Sequence, residues 1–227
     1  IVAFLEEHVT VGPDWLDAVR AAFDEGAAAA GAVVVNANPG EGVSDAVYLM
    51  NYAPFAPTAS LQVEADRLEG HNTAYRRDVL LMYGERLPTL MQSENVLQAR
   101  LRADGHRLRL DPAIRIRHRN ETRLRDICRG YWLCNANFGR TRAADWPWWK
   151  RGYHAAAAPI KPFIRLLRLR GQARALARPP AWTLWPAVFI AQCAVVAGQT
   201  LGLLGGGRRA DQAFLDYEVN VFRGRGT

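Results

Sequence analysis

Lysine is almost missing from this 227-residue chain and occurs only at Lys150 and Lys161. The net charge is still +7, so arginine carries the excess, and the basic residues crowd between Arg100 and Arg178. Cysteine is also scarce. Cys128, Cys134 and Cys193 form no CxxC pair, and their odd number argues against a disulfide framework and for a reducing, cytosolic setting. Internal repeats are absent. Charge is absent altogether from residues 181–204, AWTLWPAVFIAQCAVVAGQTLGLL, a stretch long enough to span a bilayer as a helix.

What is present suffices for a sizeable core, since 49% of residues are apolar. The length allows one domain with an appendage or two small ones. Ile1-Val2-Ala3-Phe4-Leu5 reads as a buried strand. A turn at Gly12-Pro13 leads to Asp14, which can cap a helix from Trp15 to about Glu25, with Gly26 just past its end. Ala32 to Val35 reads as a second strand, Asn36 to Gly42 as a loop, and 44–57 as loop or short helix. Leu61-Gln62-Val63 suggests a short strand, and Arg77 to Tyr83 and Glu94 to Ala103 read as helices. Residues 107–110 and 114–117 alternate with period two, as two strands with one apolar and one basic face.

From Leu124 the character changes. Residues 124–142 are helical and basic. Trp146, Trp148, Trp149 and Tyr153 follow beside Lys150 and Arg151, like an interfacial belt. Residues 163–178 mix Phe163, Ile164, Leu166, Leu167 and Leu169 with arginines, the composition of a helix on an anionic surface. A basic block of this kind serves nucleic acid, anionic lipid or a phosphorylated ligand. Its neighbour, the uncharged 181–204 run, favours a membrane over nucleic acid. That run either spans, enters partway or is a buried helix of a soluble core, and Gln192 and Gln199 weigh toward burial or partial insertion.

Strands alternating with helices argue for an α/β sheet, in which ligands sit beyond the carboxyl ends of the strands. Glu6, Glu7 and His8 close the first apolar run. Carboxylate and imidazole suit a divalent ion, and alternation lets Glu6 and His8 share a face while Glu7 points away. The bland alternative is a solvated strand end.

The order of features resembles the family 2 glycosyltransferases of GT-A type. The residues that carry the likeness are Phe4-Leu5-Glu6-Glu7-His8 and Gly12-Pro13-Asp14-Trp15-Leu16, then Gly70-His71-Asn72-Thr73-Ala74-Tyr75-Arg76-Arg77 and Glu94-Asn95. Arg100-Leu101-Arg102-Ala103-Asp104-Gly105-His106-Arg107-Leu108 and Ile116-Arg117-His118 complete the series, which covers residues 1–120. Each motif is weak alone; their order and spacing are more specific.

The resemblance implies a partial GT-A, Rossmann-like mixed sheet with flanking helices. It divides the chain into an acceptor-side portion at 1–123, a basic, aromatic helical region at 124–180 and a hydrophobic, membrane-associated helix and tail at 181–227. The strands that grip the nucleotide in that family are expected upstream of this segment. Implied roles are a divalent ion, Mn or Mg, held by Glu6, His8 and His118, and a general base at Glu94. His71, Asn72, Tyr75, Arg76 and Arg77 would line the acceptor site. The implied reaction is inverting transfer from a nucleotide-sugar donor to a lipid-linked or polysaccharide hydroxyl, at the cytoplasmic face of a membrane. Two departures stand out: the family's DxD is Glu6-Glu7-His8, and the second acid of its "E-D" pair is Asn95. Structural readings stay open: His118 as a buried histidine, Arg76 and Arg77 as surface charges, Glu94 as a first-turn residue favoured by the helix dipole. The competing function is a non-catalytic scaffold or basic binding module on a membrane.

Overall fold

The computed structural model describes residues 1–57, 63–91, 94–176, 181–207 and 209–221. Most of the expected Leu61-Gln62-Val63 strand lies outside them. In chain order the elements begin with β1 (Val2–Ala3), β2 (Val9–Val11), α1 (Trp15–Asp24), β3 (Ala29–Asn36), α2 (Val43–Tyr52) and β4 (Thr73–Tyr75). Next come α3 (Arg77–Leu81), α4 (Leu87–Met91), α5 (Glu94–Ala103) and β5 (Leu108–His118). Only helices follow among the described residues: α6 (Leu124–Arg142), α7 (Trp148–Ala156), α8 (Lys161–Ala175), α9 (Trp185–Leu203) and α10 (Ala210–Val221).

The chain forms two compact units. One, from Ile1–Ala37 and Tyr52–Arg119, holds the sheet; the other, from Asn38–Asn51, Asn120–Arg174 and Pro179–Thr227, is helical. Residues 38–51 therefore leave the expected 1–123 portion. The cause is apolar packing: Val47 of α2 clusters with Ile127 of α6 and Ala191 of α9. Among the described residues, Asn120–Arg174 and the helices after residue 181 likewise share one unit.

The sheet is mixed, in the order β1-β4-β3-β5-β2. β3 and β5 run parallel at its centre, and β4, β1 and β2 pair antiparallel around them. Residues 1–5 are not the buried strand that their composition suggests. Only Val2–Ala3 pairs, at one edge, and Ile1 and Leu5 are exposed. The centre belongs to β3, whose Ala29, Ala30, Ala32, Val33 and Val34 are buried. Leu68 lies so close over Gly31 that a Cβ there would sit 2.9 Å from its Cδ2.

The two alternating runs at 107–110 and 114–117 are one strand. β5 passes through Asp111-Pro112 with a register shift opposite Ala32/Val33, a bulge that accommodates the proline's missing N–H. Leu108, Leu110, Ile114 and Ile116 point into the core, while Arg115 and Arg117 face solvent. α1 begins as expected, although Asp14 makes no side-chain cap bond. It ends at Gly26, whose φ of 87° is the left-handed conformation glycine adopts freely. α5 buries Leu97 and Leu101, and between them Gln98. Gln98 accepts from the Leu68 N–H (2.7 Å) and donates to the Tyr75 hydroxyl (3.3 Å).

In the helical unit α6 and α9 touch backbone to backbone. A Cβ on Gly198 would fall 2.2 Å from the Trp132 carbonyl, one on Gly202 2.1 Å from that of Ala136, and one on Gly139 2.3 Å from that of Gln199. Glycines four apart on α9 thus permit a helix approach that any side chain would prevent. Leu133 and Ala136 of α6 pack on Ala210, with Phe214 and Tyr217 of α10 beside them.

Candidate metal and acceptor site

β1 and β2 occupy opposite edges of the sheet, so the intervening residues must cross it. They do so at the carboxyl end of the central parallel pair, where Asn36 of β3 lies in register with His118 of β5. Glu6, Glu7 and His8 sit in this crossing. A turn closed by the Val9 N–H on the Glu6 carbonyl (3.2 Å) brings Glu6 and His8 together, in place of the strand alternation expected for them. Glu7 is exposed.

Glu6, His8 and His118 converge. Nε2 of His8 and Nε2 of His118 are 2.9 Å apart, Glu6 Oε2 is 3.1 Å from His118 Nε2, and Glu6 Oε2 is 3.8 Å from His8 Nε2. Ligands about 2.1 Å from a common ion lie about 3.0 Å apart at octahedral angles and about 3.4 Å apart at tetrahedral ones. The three observed separations bracket those values. The Tyr52 hydroxyl is a further 2.7 Å from His118 Nε2. That nitrogen therefore has three polar atoms within hydrogen-bond distance, but an imidazole nitrogen carries one hydrogen or one lone pair. A shared cation would accept lone pairs from both imidazoles and the carboxylate at once. The residues present thus fit a divalent ion.

Charge is tuned in the same direction. Burial opposes ionisation of Glu6, but the hydrogen bond from His118 and the charges of His118, His71 and His8 outweigh it and hold the carboxyl at about 2. Burial pushes the His8 imidazole below its ordinary value, and the nearby Glu6 offsets part of that. Both shifts keep the groups in the deprotonated form a metal requires.

Asn72, expected in the acceptor loop, has a different set of contacts. It is buried, and its Nδ2 donates to Glu6 Oε2 (2.8 Å) and Glu69 Oε2 (2.9 Å). Its Oδ1 accepts from the Glu6 N–H (3.2 Å), and its own N–H donates to Glu69 (2.8 Å). Asn72 thus fixes the Glu6 carboxylate from behind, the outer-shell arrangement that orients metal ligands. Glu69 is buried, and burial followed by the Glu6 charge raises its pKa. Tyr75 is fully buried with its hydroxyl toward Gln98, so it supports the loop from the core.

Glu94 Oε1 is 3.2 Å from Nδ1 of the exposed His71, and its carboxylate lies over Gly70, where a Cβ would meet Oε2 at 2.9 Å. Asn95 beside it is exposed. Arg76 is exposed and paired with Asp78 (2.5 Å), and Arg77 is exposed. The structure therefore gathers Glu6, His8, His118, Asn72, His71 and Glu94 at one end of the sheet, Asn72 in the supporting layer. It ties Arg76 to its own helix and puts Tyr75 in the core.

Tyr52 and Glu69 are additions. Glu69 directly precedes the Gly70–Arg77 motif, so an acid there was a findable signal. Tyr52 sits in an aromatic stretch with no local signal at all. Comparison of the chain with protein-family models, with curated proteins and with solved structures gives no match.

Proposed function

We propose that the sheet unit is the acceptor side of a metal-dependent glycosyltransferase resembling family 2, one that transfers a sugar from a nucleotide-sugar to a lipid-linked or polysaccharide hydroxyl. The observation that carries the reading is the meeting of Glu6 and His8 with His118 at the carboxyl end of the central strands. Those residues stand far apart in sequence, and in the resemblance a late histidine of this kind can complete the metal site.

In this reading Glu6, His8 and His118 hold the divalent ion, which when bound would offset negative charge on a leaving diphosphate. Asn72 and Glu69 keep the Glu6 carboxylate aimed inward. Glu94 takes the acceptor proton. It is a half-buried carboxylate, with Nδ1 of His71 3.2 Å away. Loss of the second acid at Asn95 leaves Glu94 as the base.

The test is transfer from a panel of labelled nucleotide-sugars by the full-length protein with Mn. Glu94→Gln is expected to abolish transfer while leaving Mn binding intact. Unchanged turnover in that variant, or Mn binding with no transfer in the wild type, contradicts the reading and favours a scaffold.

A further inference from the structure

The helical unit carries a surface that the site chemistry does not use. Along α7, Trp148, Trp149 and Tyr153 are 84%, 60% and 69% exposed. A three-residue turn, Ala158–Ile160, leads into α8. There Ile160, Phe163 and Leu167 recur at spacings of three and four, a single stripe, and each is more than half exposed. The opposite face of α8 buries Pro162, Leu169 and Ala173. These helices hold cations and no carboxylate: Lys150 and Arg151 on α7, then Arg168, Arg170 and Arg174 near the end of α8.

Aromatic side chains left in water beside a one-signed positive charge complement an anionic lipid surface. Tryptophan and tyrosine settle at the headgroup level, and arginine meets the phosphates.

α9 has the length and composition to cross a bilayer, but its surroundings oppose a crossing. Half of its most apolar window is buried by protein. Gly198 and Gly202 hold its backbone against α6, and α6 carries Arg125, Asp126, Arg129, Arg140 and Arg142. A spanning α9 would carry those charges toward hydrocarbon or tear the glycine contact apart. Gln192 and Gln199 are buried on it as well.

We propose that the helical unit docks on the surface of an anionic membrane through the α7–α8 stripes, with α9 retained as the unit's internal helix rather than as a membrane span. Docking of this kind does not depend on the transferase chemistry.

Flotation of the full chain with phosphatidylcholine vesicles, with and without phosphatidylglycerol, tests it. Binding is expected to strengthen about tenfold or more with the anionic lipid, through the arginines. Trp148→Ala/Trp149→Ala/Leu167→Ala replaces exposed side chains only. It is expected to keep its far-ultraviolet circular dichroism and to lose about tenfold in partitioning, as apolar burial predicts. A C-terminal epitope tag should stay open to protease added outside sealed vesicles that bear the protein on their outer surface. Equal binding to neutral vesicles, an unaffected triple variant, or a protected tag would each overturn the proposal. So would a stable dimer that buries the stripes and ignores vesicles, or tight binding to RNA without any to lipid.

Discussion

The two units spend their apolar residues in opposite ways. In the sheet unit Leu97, Leu101, Ile114 and Ile116 are essentially inaccessible, and among its described residues the exposed large apolar side chains are non-aromatic. In the helical unit the interior seam is built from glycine and alanine, at Gly139, Gly198, Gly202 and Ala136, while Trp148, Trp149, Tyr153 and Phe163 stand outside. One unit hides its large side chains and gathers polar groups at one end of a sheet. The other hides its backbone and displays its large side chains. The contrast teaches that apolar residues can frame a site in one place and form a surface in another.

The contrast can be broken most forcefully at the seam. Gly202→Val places branched carbon 2.1 Å from the Ala136 carbonyl. It is expected to cost about 3 kcal/mol or more by overpacking, read as early thermal unfolding of the helical unit with Mn affinity unchanged. Leu101→Ala in the sheet unit is the converse, a cavity worth about 3 kcal/mol, and should lower the melting of that unit.

At the site, His118→Ala removes one of three ligands and is expected to weaken Mn binding more than 100-fold, measured by calorimetry on the order of affinity that ligand loss implies. Asn72→Ala leaves the ligands in place but frees Glu6 and removes one of the bonds to Glu69, which keeps the backbone N–H groups of positions 71 and 72. It is expected to weaken Mn binding by about 10–100-fold and to destabilise by about 1 kcal/mol for the side-chain hydrogen bonds lost.

The smallest effect is the pH response. The unfolded His8 takes up its proton near about 6.5, and the folded one only at lower pH. Below that value the unfolded state binds more protons, so stability contributed at this position falls as pH falls and is intact above it. Glu6, held at about 2, stays ionised throughout. Mn affinity should therefore be level from neutral pH through about 6.5 and decline only at lower pH, where the folded His8 takes up its proton. A decline that begins well above neutrality would contradict the burial of His8.

Much of the fold was legible from periodicity. α1, α5 and α6 begin at or within a residue of where their patterns predict, and the basic and apolar faces of β5 alternate as read. The errors have physical causes. Five apolar residues at 1–5 look the same whether they lie at the centre or the edge of a sheet, and here they lie at an edge. Asp111-Pro112 reads as a strand break because proline gives no ladder hydrogen bond, yet a bulge carries the strand through. α2 was ambiguous because its face is set by Ile127 and Ala191, far along the chain.

In the candidate site, Glu6, His8 and His118 were legible by resemblance, and their convergence is geometric. The work of Asn72 was not legible, because a loop asparagine looks the same whether it meets solvent or two buried carboxylates. Tyr52 reaches His118 only through the fold.

The central claim is that Glu6, His8 and His118 hold one ion. Anomalous diffraction from crystals of the protein soaked in Mn addresses it directly. The account predicts a single strong peak within about 2.3 Å of Glu6 Oε2, His8 Nε2 and His118 Nε2. A lattice saturated with Mn and showing no peak there, with the two imidazoles turned apart, would contradict it.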